Sequence, residues 1–166
     1  MFTDQNQAKT AVLRLVQEIA ARSGPLTITG LTGAAGAYLA AVVRQRIKSP
    51  VLYVAASPKT AQQRQAEIDF FCGASEIDTV DFPAYNLSPF KFMAYHNETA
   101  ARRIRALYGL VTGHPAQVTV TTAAALHQRL IPKSILADYA ELIIAEEEIE
   151  PERLVAKLVA GGYTRS

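Results

Sequence analysis

The feature that most constrains the fold is a glycine-rich segment, residues 30–37, which connects an apolar run to a helical pattern. The apolar run covers residues 26–29, and the helical pattern covers residues 38–47. A strand, a glycine-rich turn and a helix in this order are typical of phosphate-binding P-loops, whose backbone N–H groups surround the phosphates. The segment therefore predicts an α/β domain organised around this turn.

The turn lacks the side chains that a working P-loop requires. In the pattern G-x-x-x-x-G-K-[ST], the lysine neutralises the phosphates and the hydroxyl group holds Mg²⁺. With Gly30 as the first glycine, Gly36 takes the lysine position and Ala37 takes the hydroxyl position. We therefore expect no ATP hydrolysis. Two interpretations stay open: a degenerate P-loop whose N–H groups still attract an anion, and a simple tight turn between a strand and a helix.

Strands and helices alternate along the chain, which predicts a doubly wound parallel sheet with helices on both faces. Residues 131–133 (Ile-Pro-Lys) interrupt this alternation, so we predict a first domain over residues 1–130. Residues 131–166 then read as the start of a small α+β second domain. The predicted strands are residues 26–29, 51–55, 79–82, 117–121 and 141–145, and the predicted helices are residues 7–21, 36–48, 58–72, 97–112, 123–130 and 151–160.

Composition excludes several classes of function. The 166 residues carry a net charge of only +2, which gives no general electrostatic signature of nucleic-acid binding. The single cysteine, Cys72, allows no intrachain disulfide, and its position at the end of an apolar helix indicates burial rather than reactivity. His96, His114 and His127 lack metal-ligand spacing, so we expect neither a metal nor a cofactor. A polar N-terminus unlike a signal peptide favours the cytoplasm.

Two local patterns leave alternatives open. Arg102, Arg103 and Arg105 lie close together on a predicted helix and follow the aromatic segment 83–96, so they are either a solvated face or a weak DNA-binding surface. Residues 142–147, an apolar run ending in two glutamates, superficially resemble the strand that holds Mg²⁺ in NTPases. A solvated connection between a strand and a helix is the other interpretation, and we favour it.

Several collinear segments resemble the N-terminal module of the bacterial transcription-repair coupling factors (Mfd), a module itself similar to the damage-verifying protein UvrB. The resemblance covers roughly residues 10–166, and it lies in the order of the segments rather than in any one motif. The segments are residues 28–36 (Ile-Thr-Gly-Leu-Thr-Gly-Ala-Ala-Gly), 58–62, 82–85 (Phe-Pro-Ala-Tyr), 88–89, 97–98, 125–130 (Ala-Leu-His-Gln-Arg-Leu) and 154–163.

The resemblance implies a degenerate, RecA-like domain that serves as a docking module. UvrB-like turns resemble G-V-T-G-T-G-K-T, so Gly30, Thr32 and Gly33 are kept here while the lysine and the last threonine are lost. Residues 82–96 are too short for the tyrosine-rich hairpin with which UvrB probes DNA.

By the same resemblance, the second domain is similar to the UvrB region that binds UvrA. Coupling factors use that region to recruit UvrA to a stalled RNA polymerase, and the matching basic position here is Arg165. RNA polymerase, DNA and an ATP-dependent DNA translocase are implied for other parts of the full-length protein. The alternative is a divergent P-loop protein that binds a nucleotide or phosphate at residues 30–37.

Overall fold

A computed structural model describes residues 3–73, 77–85, 97–140, 148–161 and 163 of the chain. The α/β class and the parallel sheet predicted from the sequence are both confirmed. The elements described, in chain order, are α1 (Thr3–Ala21), α2 (Ala35–Ile47), β1 (Val51–Ala55), α3 (Pro58–Cys72), β2 (Thr79–Phe82), α4 (Asn97–Val111), β3 (Val118–Thr122), α5 (Ala123–Leu126), α6 (Lys133–Tyr139) and α7 (Pro151–Ala160).

The sheet has three parallel strands in the order β1-β3-β2. Val118 of β3 is in register with Val51 of β1 and with Thr79 of β2. The central strand has the sequence Val-Thr-Val-Thr-Thr, and these β-branched side chains favour the extended backbone. Four of its five residues are buried, which is expected for a strand with a neighbour on each side.

The main core lies on the face of the sheet that α2 and α3 cover. Val118 and Val120 of β3 point into it, together with Ala37 and Ala41 of α2 and Ile68 of α3. Ala37, Ala41, Ile68 and Val118 have no solvent exposure. Alanines on α2 allow this helix to approach its neighbours closely, which is why a helix with so few large side chains packs well here.

The opposite face is covered only in part. Val80 and Phe82 of β2 pack there against Ala106 of α4 and Ala125 of α5. Leu52 of β1, in register with Thr119, lies on the same face but keeps 55% of its surface exposed. Val54 is likewise 47% exposed, so this face is covered over β2 and open over β1. A cavity of about 280 Å³ lies beside the open part, lined among others by Leu52, Leu110 and Leu126.

Local sequence signals place several element boundaries where they were predicted. Ser57 caps α3, because its Oγ atom accepts a hydrogen bond from the Thr60 N–H at 3.1 Å, and Pro58 fills the first turn. Gly73 ends the same helix with a φ of +59°, a conformation that favours glycine. Thr122 similarly caps α5 through the Ala125 N–H at 3.3 Å.

The predicted strand at residues 26–29 is wrong, since this segment forms no ladder with the described sheet. Leu26 and Ile28 are half-buried while Thr27 and Thr29 are exposed. A strand inside a sheet covered on both faces is apolar throughout. The alternation of half-buried and exposed residues seen here is typical of a surface segment that packs against the domain through one face only. The doubly wound, RecA-like arrangement is therefore not established by the described strands.

The segment after residue 130 contains a helix, α6, that the sequence pattern did not predict. Leu136 of α6 is 6% exposed, and α6 packs against α4. Lys157 Nζ of α7 donates a hydrogen bond to the Ala140 carbonyl at 2.7 Å, which joins α7 to the end of α6. The predicted strand 141–145 lies outside the described residues, and the domain division at residue 131 stays a prediction. Among the described helices, none has the length and apolar character needed to cross a bilayer.

A candidate phosphate loop and its surroundings

The glycine-rich segment forms a tight turn that leads directly into α2. Gly30 and Gly33 have φ values of +81° and +54°, which an L side chain rarely adopts. The Ala35 N–H donates to the Thr32 carbonyl at 3.1 Å and closes the turn. Because Ala34 at the helix N-cap has no side chain to accept a hydrogen bond, the first turn of α2 is capped by backbone alone.

The position that a P-loop lysine would occupy is crowded by a side chain of β1. A Cβ atom on residue 36 would lie 3.1 Å from the Tyr53 hydroxyl oxygen. This separation is tighter than nine in ten real Cβ contacts, so the tyrosine would have to move by a few tenths of an ångström. Gly36 thus allows β1 and α2 to pack with the Tyr53 hydroxyl between them. This packing explains why a glycine suits position 36.

A cation that contacts the turn comes from α3. Arg64 Nη1 donates a hydrogen bond to the Gly33 carbonyl oxygen at 2.5 Å and forms an ion pair with Glu67. The sequence reading did not single out Arg64, since nothing in its spacing links it to the turn. Its contacts tie the turn to α3, and they place one positive charge at the turn, two residues before α2 begins.

Two positions of the glycine-rich segment that carry functional side chains in a P-loop carry none here. Residue 37 is alanine and supplies no hydroxyl to Mg²⁺. The described part of the chain also holds no group of three His, Cys, Asp or Glu side chains that could bind a metal. Gly30, Thr32 and Gly33 are exposed, and Gly36 is half-buried. The geometry offers backbone N–H groups and one paired arginine, which suits weak anion binding or a purely structural turn.

Arg103 does not lie on a solvated outer face, and that part of the prediction is wrong. Its side chain is among the most buried in the protein, with 2% exposure. The guanidinium Cζ lies 4.1 Å from the centroid of the Phe82 ring and 4.6 Å from that of the Tyr85 ring. Nη1 donates to the Pro83 carbonyl at 2.7 Å. Phe82 is the last residue of β2 and Tyr85 lies three residues beyond it, so this aromatic pair was the sequence signal for the contact.

The other two arginines of α4 are paired with carboxylates. Arg102 forms ion pairs with Asp81, at 3.0 Å, and with Glu98 one turn earlier on the helix, as its i,i+4 spacing predicted. Hydrogen bonds to Glu98 and then to Asp81 raise the pKa of Arg102. Arg105 lies 3.3 Å from Asp78. The three arginines therefore form no common basic face, which removes the main support for a DNA-binding surface there.

The predicted partner-binding residue, Arg165, lies outside the described residues, as do Glu146 and Glu147. The adjoining helix α7 exposes an apolar face that includes Val155 at 50% and Val159 at 58%. Tyr163 is 68% exposed, and its N–H donates to the Leu158 carbonyl at 3.0 Å. The described end of the chain thus presents apolar and aromatic surface beside the exposed charges of Glu152 and Arg153.

Cys72 is buried, as predicted, with 4% of its surface exposed. Burial raises the pKa of its thiol, and the Asp69 carboxylate adds to the effect. A thiol held in its neutral form is a poor nucleophile, so Cys72 belongs to the core rather than to a site.

Together the described elements form an α/β domain whose glycine-rich turn leads into α2 and carries glycine and alanine at the positions of the P-loop lysine and hydroxyl. Sequence comparison finds similarity to two transcription-repair-coupling factors. The chain is 24% identical over 141 residues to the transcription-repair-coupling factor of Myxococcus xanthus, covering 82% of this chain and 12% of that protein. It is 27% identical over 133 residues to the transcription-repair-coupling factor of Escherichia coli (strain K12), covering 80% and 11%.

No protein-family model matches the chain. The chain spans only 11–12% of the length of the two curated relatives that it matches. These matches support a distant relationship between this chain and one region of the transcription-repair-coupling factors.

Proposed function

We propose that the chain is the non-catalytic N-terminal interaction module of a transcription-coupled DNA repair factor, with a degenerate RecA-like fold resembling UvrB. In this proposal it recruits UvrA to a stalled RNA polymerase through the segment 131–166, including Arg165. The observation that carries the proposal is the similarity of about four-fifths of the chain to two transcription-repair-coupling factors.

The turn supports a role without catalysis. The lysine position is a glycine that faces the Tyr53 hydroxyl, and the Mg²⁺ position is an alanine. In the proposal, ATP-dependent DNA translocation and the contacts to RNA polymerase and DNA belong to other parts of a longer cytoplasmic protein. The pairing or burial of Arg102, Arg103 and Arg105 is consistent with this division, because the described α4 offers no row of unpaired cations to DNA.

A second candidate is a divergent P-loop that binds a nucleotide or phosphate. The observation that favours it is Arg64, whose guanidinium lies 2.5 Å from the Gly33 carbonyl and supplies the positive charge that residue 36 cannot. In that case Arg64 would release Glu67 and contact the phosphate, since one guanidinium can exchange one oxyanion for another.

Isothermal titration of the chain with Mg²⁺-ATP, and in parallel with purified UvrA, separates the two candidates. The docking proposal expects heat with UvrA and none with ATP. It further expects Arg165→Glu to weaken UvrA binding, while Arg46→Glu, an exposed change on α2, leaves it unchanged. Saturable ATP binding that Arg64→Gln abolishes would establish the second candidate instead. Absence of UvrA binding by the intact full-length protein would refute the recruiting role.

A further inference from the structure

A second cavity lies between α4 and the residues after α5, with Tyr85 and Arg103 in its lining. Its volume is about 560 Å³, within the range of ligand-binding pockets in proteins. The walls are mostly apolar, and the polar groups among them are few. The lining residues are Tyr85, Ala100, Arg103, Ile104, Leu107, Gln128, Arg129, Leu130 and Ile131.

The cavity contains a buried positive charge. Arg103 is 2% exposed, and aromatic rings lie close to its guanidinium at 4.1 and 4.6 Å. Burial lowers the pKa of Arg103, while its contact with Tyr85 acts in the opposite direction. Among the described residues no carboxylate forms an ion pair with it, in contrast to Arg64, Arg102 and Arg105. The Pro83 carbonyl and the two aromatic rings hold this charge in the cavity wall without a carboxylate, so its positive potential favours an anion at the mouth of the cavity.

The mouth of the cavity combines apolar and basic character. Ile104 and Ile131 are each 40% exposed and Leu130 is 53% exposed. Arg129 is exposed and adds a second positive charge to the lining. Gln128 fixes the wall formed by Tyr85, because its side-chain amide accepts the Tyr85 N–H at 2.8 Å and donates to the Tyr85 carbonyl at 2.9 Å. These two hydrogen bonds fix the part of the cavity wall that Tyr85 and Gln128 form.

We propose that this cavity docks a peptide segment of a protein partner in which an aspartate or glutamate is flanked by apolar side chains. The carboxylate pairs with the exposed Arg129 at the mouth, where the charge of the buried Arg103 in the wall also favours it, and the apolar side chains cover Ile104, Leu130 and Ile131. Charge complementarity and the apolar walls select this ligand. A nucleic acid requires a row of unpaired basic side chains along its phosphates, and the neighbouring Arg102 and Arg105 are occupied by acids. The site does not depend on the proposed recruitment of UvrA.

Selection of short random peptides displayed on phage, with the whole chain as bait, tests the site. We expect the enriched peptides to share an acidic residue between apolar ones. A synthetic copy of the most enriched peptide is then compared with a copy in which its carboxylate is replaced by the amide. Loss of the charge should weaken binding at least about tenfold, because a charge-assisted pair with arginine is lost.

Peptide binding by variants of the chain shows whether the peptide binds in this cavity. Ile104→Glu should abolish binding without unfolding the protein, since this residue is already 40% exposed. Arg129→Gln should weaken binding several-fold, and the matched change Arg105→Gln, on an exposed arginine outside the cavity, should leave it unchanged. Circular dichroism checks that each variant is folded. Failure to enrich any peptide, enrichment without an acidic residue, or binding that survives Ile104→Glu overturns the proposal.

Discussion

The hydroxyl oxygen of Tyr53 lies 3.1 Å from the point at which a Cβ atom on residue 36 would stand. Through this pair, a strand that shares no hydrogen bonds with the glycine-rich turn limits which residue the turn can carry. The lysine position of a P-loop is therefore tightly packed as well as lost from the sequence, since a Cβ atom there requires a small shift of Tyr53.

The first prediction concerns this packing. Gly36→Ala adds a favourable helix residue but pushes on Tyr53, so its effect depends on the hydroxyl. In a Tyr53→Phe background, we expect Gly36→Ala to be more favourable by about 0.5–1 kcal/mol than in the original chain. Urea denaturation of the four proteins in this double-mutant cycle measures the coupling. Equal effects of Gly36→Ala in both backgrounds would show that the hydroxyl does not restrict residue 36.

The second prediction separates the buried arginine of α4 from an exposed one. Arg103→Ala removes the side chain that joins α4 to the segment 82–85, and we expect it to lower the free energy of unfolding by about 2–3 kcal/mol. Arg103→Lys should restore little, because a lysine ammonium cannot stack flat on the rings as a guanidinium does.

Arg105→Ala is the matched control, with the same residue type on the same helix. Its ion pair with Asp78 is exposed, so we expect a change within about 0.5 kcal/mol. Thermal or urea denaturation compares the three variants. A loss at Arg105 as large as that at Arg103 would contradict the burial argument.

The third prediction concerns the open part of the sheet. Leu52→Glu places a charge on a side chain that is 55% exposed, so we expect it to change stability by no more than about 0.5 kcal/mol. If this apolar patch drives association, the charge should also reduce the apparent mass at high protein concentration in analytical ultracentrifugation.

Val120→Ala provides the contrasting change on the covered side of the sheet. Val120 is 1% exposed, and its truncation should cost about 2 kcal/mol because it leaves a cavity. Comparable losses of stability for Leu52→Glu and Val120→Ala would mean that β1 is covered on both faces in solution.

The fourth prediction follows from the raised pKa of Cys72. The folded protein holds the neutral thiol at pH values where the unfolded chain already ionises. This contribution to stability is complete below the unfolded pKa, near 9.0, and is lost as pH rises through the higher folded pKa. Stability should thus fall more steeply between neutral and alkaline pH in the original chain than in Cys72→Ala. Parallel slopes for the two proteins would contradict the prediction.

A thiol reagent checks the same point directly. Cys72 is 4% exposed, so the native protein should react far more slowly than the urea-unfolded protein with an aromatic disulfide reagent. Rapid labelling of the native protein at neutral pH would mean that the end of α3 opens.

The parts of the fold that the sequence predicted are those in which local signals and burial agree. Ser57 and Pro58 define the start of α3, and the β-branched residues of β3 define a central strand. Residues 26–29 were predicted as a strand because an apolar run precedes a glycine turn, yet strand formation requires an edge to pair with, and no local pattern reveals that. α6 was missed because the proline and lysine before it read as a boundary.

Only those features of the site that depend on the residue type at a single position could be predicted from the sequence. The missing lysine at residue 36 and the missing hydroxyl at residue 37 can be read directly from the chain. Tyr53, Arg64 and the burial of Arg103 depend on contacts between elements far apart in sequence, and charge alone suggests that an arginine is exposed. Aromatic residues such as Phe82 and Tyr85 at the end of a strand make a buried arginine plausible, because a guanidinium can stack on their rings.

The strand order carries a consequence for biosynthesis. β1 and β2 each pair only with β3 among the described strands, and β3 is the last of the three to be made. A growing chain that has completed β1 and β2 therefore has no partner for either strand until Thr122 has emerged. During this interval Leu52, Val54, Val80 and Phe82 lack the central strand that orders them. The nascent chain should consequently form the ordered sheet only after that point.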